Sequence, residues 1–598
     1  MISFIAMNNW PFARADELII LAYLVFALWI ALRYRKQASR SFSDFILGGR
    51  SLPWYLAGLS MVATTFAADT PLWVTEKVAQ HGVSGNWLWW NMLIGGMLTT
   101  FFFARYWRRA GILTELELLE FRYSGKAASW LRSVRAVYLG GFLNLVILAW
   151  VNKAMLVIIS VFFDMTESEA LGWVFGLMAF VAAYSALSGL KGIVVTDAVQ
   201  FIMAMTGSVV LAVVVLRQPE VGGLSGLQQR LPQWRLDFFP SFSSQPDQLI
   251  GAFSISIGAF LSYFTLQWWA SWYPGNEPGG GGYISQRMMG SKTEKDAVHA
   301  SLFFQIAHYA LRPWPWIIVA LGALLLYPGL GLEDSSKGYV LAMKNLLPAG
   351  LKGLLFVAFL SAYMSTISTQ LNWGAGYLTH DLWGRFAISV KDASRERKLV
   401  RSSRVFTLLL MLLSMPLTAR LGMIDEAANF LIRSGAGLGL VLILRWYWWR
   451  VNAWSEISAT ILPIAGMLLS TYWLENALGP EFVAANGSFY FTVAFTTLGW
   501  LLVTFLTPAE SEATLSRFYQ KVRPDGIWKI GGQRKAHFNV FRLIAWLMAV
   551  VLTYSALFGV GALLLHPGSE WMYWTLSAVI SGGVFIWAFR KSEHAAAL

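Results

Sequence analysis

Apolar runs of about 20 residues recur from residue 17 to residue 589, with short polar loops between them. That is the length an α-helix needs to cross a hydrocarbon core about 30 Å thick at 1.5 Å per residue. A backbone in lipid must satisfy its own polar groups, so the fold class is an all-α polytopic membrane protein. About fifteen spans are expected, near 17–33, 53–76, 87–104, 136–162, 169–188, 193–216, 249–272, 300–327, 350–380, 405–419, 426–444, 456–475, 487–506, 543–565 and 571–589. Composition agrees: the chain is 56% hydrophobic and 13% charged with a mean hydropathy of +0.53, which excludes a string of soluble domains. The absence of cysteine excludes disulfides, thiolate metal sites and Cys nucleophiles.

The net charge of +13 points to topology and not to nucleic acid. The 46 Lys and Arg residues crowd into the loops that an outside N-terminus places in the cytoplasm. The chain is expected in the plasma (cytoplasmic) membrane, N-terminus outside and C-terminus inside. The first run lacks a basic n-region and a small-residue cleavage site, so it reads as a retained anchor. Residues 217–248 form the longest external loop, and 384–404 and 507–542 are basic connectors. The tract NEPGGGG, residues 276–282, cannot continue a packed helix cheaply, because each glycine costs ~1 kcal/mol relative to alanine. It is either a hinge beside span 249–272 or a plain loop.

Three polar stretches stand inside apolar runs. In SAYMSTISTQLN, residues 361–372, Ala362, Ser365, Thr366 and Thr369 fall at i, i+3, i+4 and i+7 and share a helix face, with Ser361, Ser368 and Asn372 beside it. Uncharged oxygens stacked at membrane depth suit a small hard cation. The alternative is that each hydroxyl bonds back to its own helix or bridges to a neighbour. In GLSMVATTFAADTPLWVTEK, residues 58–77, Pro71 removes a backbone donor and disfavours helix at Thr70, and Asp69 is an ionisable group within a span. In SGLKGIVVTDAVQFIMAM, residues 188–205, Asp197 lies about one turn into an apolar span. Facing inward, it would neutralise a cation held by the 361–372 ladder; at the helix end it would be unremarkable.

FILGGRSLPWYLAGLSMVAT (residues 45–64), SGLKGIVVTDAVQ and SAYMSTISTQLN, in that order, resemble the sodium:solute symporter family, which includes sodium/glucose and sodium/proline carriers. The resemblance covers roughly residues 41–450 and implies an inverted-repeat core of five plus five helices, here 53–216 and 249–444. Residues 1–40 then hold an extra N-terminal helix and loop, and 451–598 about four accessory helices. It also implies a common sodium site at the carbonyls of Ala63, Phe66 and Ala362 with the hydroxyls of Ser365 and Thr366. A second site would use Asp197, Ser368 and Thr369. For the solute, the implied counterparts are Thr70, Asn86 or Asn91, Tyr273, His308 and Asn429.

Asp69 and Arg433 join those solute candidates from the residue reading alone, Arg433 as a partner for a carboxylate. Trp268, Trp269 and Trp272 either stack on a sugar ring or form an interface belt. The expected function is a sodium-coupled symporter, with one or two Na+, importing a small polar solute: a sugar or polyol first, an amino acid or carboxylate otherwise. A proton-coupled or sodium-independent carrier of the same fold is the alternative. A membrane-embedded transferase is disfavoured, since the seven histidines show no metal-ligand spacing. Sodium is the only metal expected, the bilayer and a small solute are the partners, and no nucleic acid or obligate protein partner is expected.

Overall fold

The structure, a computed structural model, describes residues 11–242, 254–272, 275–421 and 431–597. Among the described residues, ten helices are long and apolar enough to cross a membrane. The expected spans outnumber them because several crossings are broken or fused. The elements that carry the site are α1 (Arg14–Ala38), α2 (Trp54–Thr65), α3 (Asp69–His81), α4 (Gly125–Phe163), α5 (Glu167–Leu216), α6 (Gly282–Gly290), α7 (Glu294–Leu326) and α8 (Leu351–Tyr377).

α5 runs for 50 residues, about 75 Å if continuous and far longer than one crossing. Gly189 divides it, with φ +57° and ψ −174°. A Cβ there would sit 2.9 Å from Ala38 Cβ and 3.1 Å from the Phe45 carbonyl, so the turn needs glycine both for its dihedral and for its close packing.

Two crossings are interrupted instead. α2 stops at Thr65 and α3 starts at Asp69, with Phe66 at φ −94° and ψ 73° between them. Pro71 therefore lies in the first turn of α3, where its missing N–H had no partner to lose. The break falls at residues 66–68, ahead of the Thr70–Pro71 bond where the sequence suggested it. In the second half, helical residues 257–270 are followed by non-helical residues 271–272 and 275–281 before α6 resumes at Gly282. The glycine tract is thus a break within a crossing. Gly279, Gly280 and Gly282 all have positive φ, which other residues adopt only with strain.

α8 is central: 94% of its most apolar stretch is buried, against 17% for the outlying helix Glu570–His594. α1 packs beside it and fixes its start. Asp16, buried, accepts the Gly350 and Gly353 amides at 2.7 and 2.6 Å, satisfying donors that a helix N-terminus leaves orphaned. Asp16→Ala should cost about 1.5–3 kcal/mol, the range for hydrogen bonds to a charged group. The measurable sign is faster amide exchange at residues 350–354, and unchanged protection there would contradict the capping role.

The 507–542 connector is more ordered than a topogenic loop requires. It holds a helix, Glu512–Val522, and an antiparallel hairpin, Gly526–Ile530 with Gln533–His537. Trp528 of the hairpin is buried beside Phe518, 5.5 Å between ring centroids, and under Arg122 at 5.1 Å.

Candidate functional site

Side chains of α7 and α8 bond to carbonyls in the last turn of α2. Val62 O accepts Arg312 Nη1 at 3.2 Å, and Thr64 O accepts the Thr366 hydroxyl at 2.9 Å. The same hydroxyl lies 3.2 Å from Ala362 O, and the Thr64 and Thr369 hydroxyls are 3.2 Å apart. The hydroxyl face of α8 therefore abuts the break after α2. Ala63, Phe66, Ala362, Ser365 and Thr366 are all buried around this junction. Their oxygens are carbonyls and hydroxyls without a carboxylate, a donor set able to replace part of an alkali ion's hydration shell.

Asp197 sits one layer deeper, fully buried, and it is not alone. It accepts Ser60 Oγ at 2.5 Å on Oδ2 and Ser365 Oγ at 2.7 Å on Oδ1. Arg287 of α6, also fully buried, brings Nη2 to 3.7 Å from Asp197 Oδ2. It also donates to Thr369 Oγ1 at 2.6 Å, to Ser60 Oγ at 3.1 Å and to Gln286 Oε1 at 2.8 Å. Ser368 Oγ bonds back to Ser365 O at 3.1 Å. Of the expected second-site residues, Asp197 and Thr369 are joined through Arg287, while the Ser368 hydroxyl bonds within its own helix. No spacing in the sequence pointed to Arg287; its only signal was a charge in a short, largely apolar segment.

Above this lies a cavity of about 120 Å³. Thr64, Thr65, Asp69 and Thr70 beside the break line it, together with Trp89, Met92 and α4 residues Ile147, Trp150 and Val151. α7 contributes Phe304, His308, Tyr309 and Arg312, α8 contributes Thr366 and Gln370, and Asn276 and Tyr283 come from the second break. Trp89 stacks on Tyr309 at 5.6 Å, giving an aromatic face. His308 Nδ1 is 3.1 Å from Thr65 Oγ1, which also accepts Arg312 Nη1 at 3.2 Å. Asp69 Oδ1 and Arg312 Nε are buried without hydrogen bonds among the described residues.

The expected solute residues divide accordingly. Asp69, Thr70 and His308 line the cavity. Asn86 and Asn91 do not: their amides bond local backbone at Val83 O (2.9 Å) and Trp87 O (2.8 Å). Arg433 is exposed and lines a different, smaller cavity with Met467, Thr471 and Ser488. The cation on the main cavity is Arg312 of α7. Tyr273 and Asn429 lie outside the described residues.

The family model described as sodium:solute symporter family matches residues 45–462, more than half of the chain. The chain belongs to that family. Sodium is thus the coupled ion, and the protein is a carrier and not an enzyme. Among curated proteins it is similar to the sodium/glucose cotransporter of Vibrio parahaemolyticus, 23% identical over 73% of this chain and 80% of the relative. It is also similar to sodium/myo-inositol cotransporter 2 of Oryctolagus cuniculus, 22% identical over 86% and 80%. A solved structure of a substrate-bound, outward-open Na+-coupled sialic acid symporter superposes with a TM-score of 0.62 at 18% identity. That match covers 83% of this chain and 99% of the other, and at such identity it shows the shared fold. The fold of this symporter is accordingly an inverted-repeat transporter core with extra helices before and after it.

Proposed function

We propose that this symporter imports a small polar organic solute with sodium by alternating access. The observation that carries the reading is that Thr64 and Thr366 belong to two places at once. Both line the cavity, and their oxygens lie at the junction where α8 meets the break after α2. An ion at Ala63, Phe66, Ala362, Ser365 and Thr366 would pin that wall, so ion and solute would favour the same conformation. Residues 41–450 would carry transport, with 1–40 and 451–598 accessory, in a cytoplasmic membrane with the N-terminus outside. The break–cavity arrangement matches the general pattern in which interrupted helices frame a midplane site.

A sugar or polyol is the favoured solute. Donors and acceptors at Asp69, Thr70, His308, Asn276 and Gln370, beside the Trp89–Tyr309 face, suit a hydroxylated ring. The similarity to sodium/glucose and sodium/myo-inositol cotransporters supports that class. One observation favours a second reading, a zwitterionic amino acid: Asp69 and Arg312 place one carboxylate and one guanidinium on the same cavity.

Neutral ligands around the ion leave its charge uncancelled, so transport of a neutral solute should be electrogenic. One sodium gains about 2.3 kcal/mol per 100 mV, and a tenfold gradient adds roughly 1.4 kcal/mol. A thermal-shift screen of purified protein against sugars, polyols and amino acids, with and without sodium, identifies the solute. In proteoliposomes an inside-negative potential should then accelerate its entry. Uptake of a neutral solute that ignored both sodium and voltage would overturn the reading.

A further inference from the structure

Glu115 and Glu277 are both buried, and among the described residues neither makes an ion pair. Both wrap the same point of the backbone. A Cβ on Gly281 would meet Glu277 Cβ at 3.0 Å and the two Glu115 carboxylate oxygens at 3.1 and 3.2 Å, while one on Gly282 would strike Glu277 Oε1. The two acids are not equivalent. Glu115 Oε2 accepts the Gly282 amide at 2.6 Å, the first donor of α6, and the Tyr377 hydroxyl of α8 at 2.8 Å. The first of these donors belongs to a helix N-terminus, and both bonds are short. Glu277 has one long contact, from Gly275 N at 3.4 Å, and its Oε2 is buried without a hydrogen bond.

Two buried carboxylates this close cannot both carry charge cheaply. The other charges around them are already engaged. Asp381, beyond Thr114, is held by Arg132 at 2.6 Å, and Arg445, over the Trp107 ring at 5.7 Å, faces Glu456. Among the described residues, the tyrosines Tyr283 of α6 and Tyr377 of α8 are further titratable neighbours. The glycine tract between the acids is also held by Trp107 Nε1 donating to Gly279 O at 2.9 Å, by a turn from Gly280 N to Glu277 O at 2.8 Å, and by Ser285, whose N and Oγ donate to Gly281 O at 3.0 Å and Gly282 O at 2.9 Å.

We propose that Glu115 and Glu277 form a proton-binding site that latches the N-terminus of α6. With one proton, resident on Glu277, the tract packs as described and Glu115 caps the helix. When that proton leaves to water, the two like charges repel across Gly281 and α6 is released from Glu115 and Tyr377. The device goes beyond the symport reading, and its test needs neither sodium nor solute, so its failure leaves that reading untouched.

The chain has no cysteine, so Ser285→Cys, in the buried first turn of α6, gives a single reporter thiol. Its maleimide labelling is followed in nanodiscs, in potassium buffer, with and without Glu277→Gln. The ratio of the two rates cancels the thiol's own ionisation. That ratio should be near one at acid pH, where Gln imitates the neutral acid, and should rise about tenfold between about pH 5 and pH 9. A flat ratio overturns the proposal. So does slowing of labelling by sodium or calcium at fixed alkaline pH, which would make the pair a metal-cation site. If the Glu277→Gln chain does not fold, the protonated-carboxyl infrared band of the wild-type chain decides. A band lost over the pH range in which the Ser285→Cys thiol becomes labelled supports the site, and no titrating band overturns it.

Discussion

Thr366→Ala raises the sodium concentration needed for half-maximal stabilisation of the purified protein by about 10- to 100-fold. The hydroxyl is one of five proposed oxygen ligands, and it is buried where α8 meets the break after α2. Losing one such contact to a charge costs roughly 1.5–3 kcal/mol, which is that fold-change at 1.4 kcal/mol per decade. Thr366→Ser keeps the oxygen and should stay close to wild type. The competing account is that Thr366 only bridges α8 to Thr64 O. A bridge would lower stability equally in sodium and in potassium, whereas a ligand lowers only the sodium-dependent increment. Ser365→Ala should act in the same direction, with an added loss because Ser365 also donates to Asp197. Unchanged sodium dependence in both alanine variants would remove the assignment.

What the sequence revealed follows from how local each signal is. The ladder from Ala362 to Thr369 was legible because one helix period places those oxygens on one face, and the structure sets that face against the break after α2. The break itself was legible from Asp69, Thr70 and Pro71, though its position was not, since a proline in the first turn of α3 is compatible with helix. Arg312 falls inside the expected span 300–327, and nothing in its sequence neighbourhood marks it as a cavity residue. It follows a π-helical turn at Ala307–Leu311, which shifts the helix face in a way that 3.6-residue periodicity does not report. Arg433 had the same kind of signal and turns outward. Asn86 and Asn91 looked like solute ligands and instead satisfy their own backbone. Arg287 was invisible, because its partners Asp197 and Thr369 lie on two other helices and only the assembled core brings them together.

That buried pair leads to the sharpest experiment. Arg287→Met leaves Asp197 inside the core with two hydroxyl donors and no counter-charge. Removing one partner of a buried ion pair costs about 3–5 kcal/mol, so the variant should be severely destabilised in potassium. Sodium should rescue it. With the guanidinium gone, Asp197, Ser368 and Thr369 become open to a free cation, and binding at 100 times its Kd returns about 2.7 kcal/mol. Wild-type protein, in which Arg287 already occupies that carboxylate, should gain less from sodium at the same concentration. The double variant Arg287→Met, Asp197→Asn removes both charges, so it should recover much of the loss and show no extra sodium dependence. Denaturation midpoints of the three proteins in sodium and in potassium separate the outcomes. If Arg287→Met were equally destabilised in both salts, Asp197 would be a structural anchor and not an ion ligand. If sodium rescues it, tethered and free cations compete for one carboxylate. A second sodium could then bind only after α6 carries Arg287 away, which would tie ion binding at that site to movement of the half-helix held by Glu115.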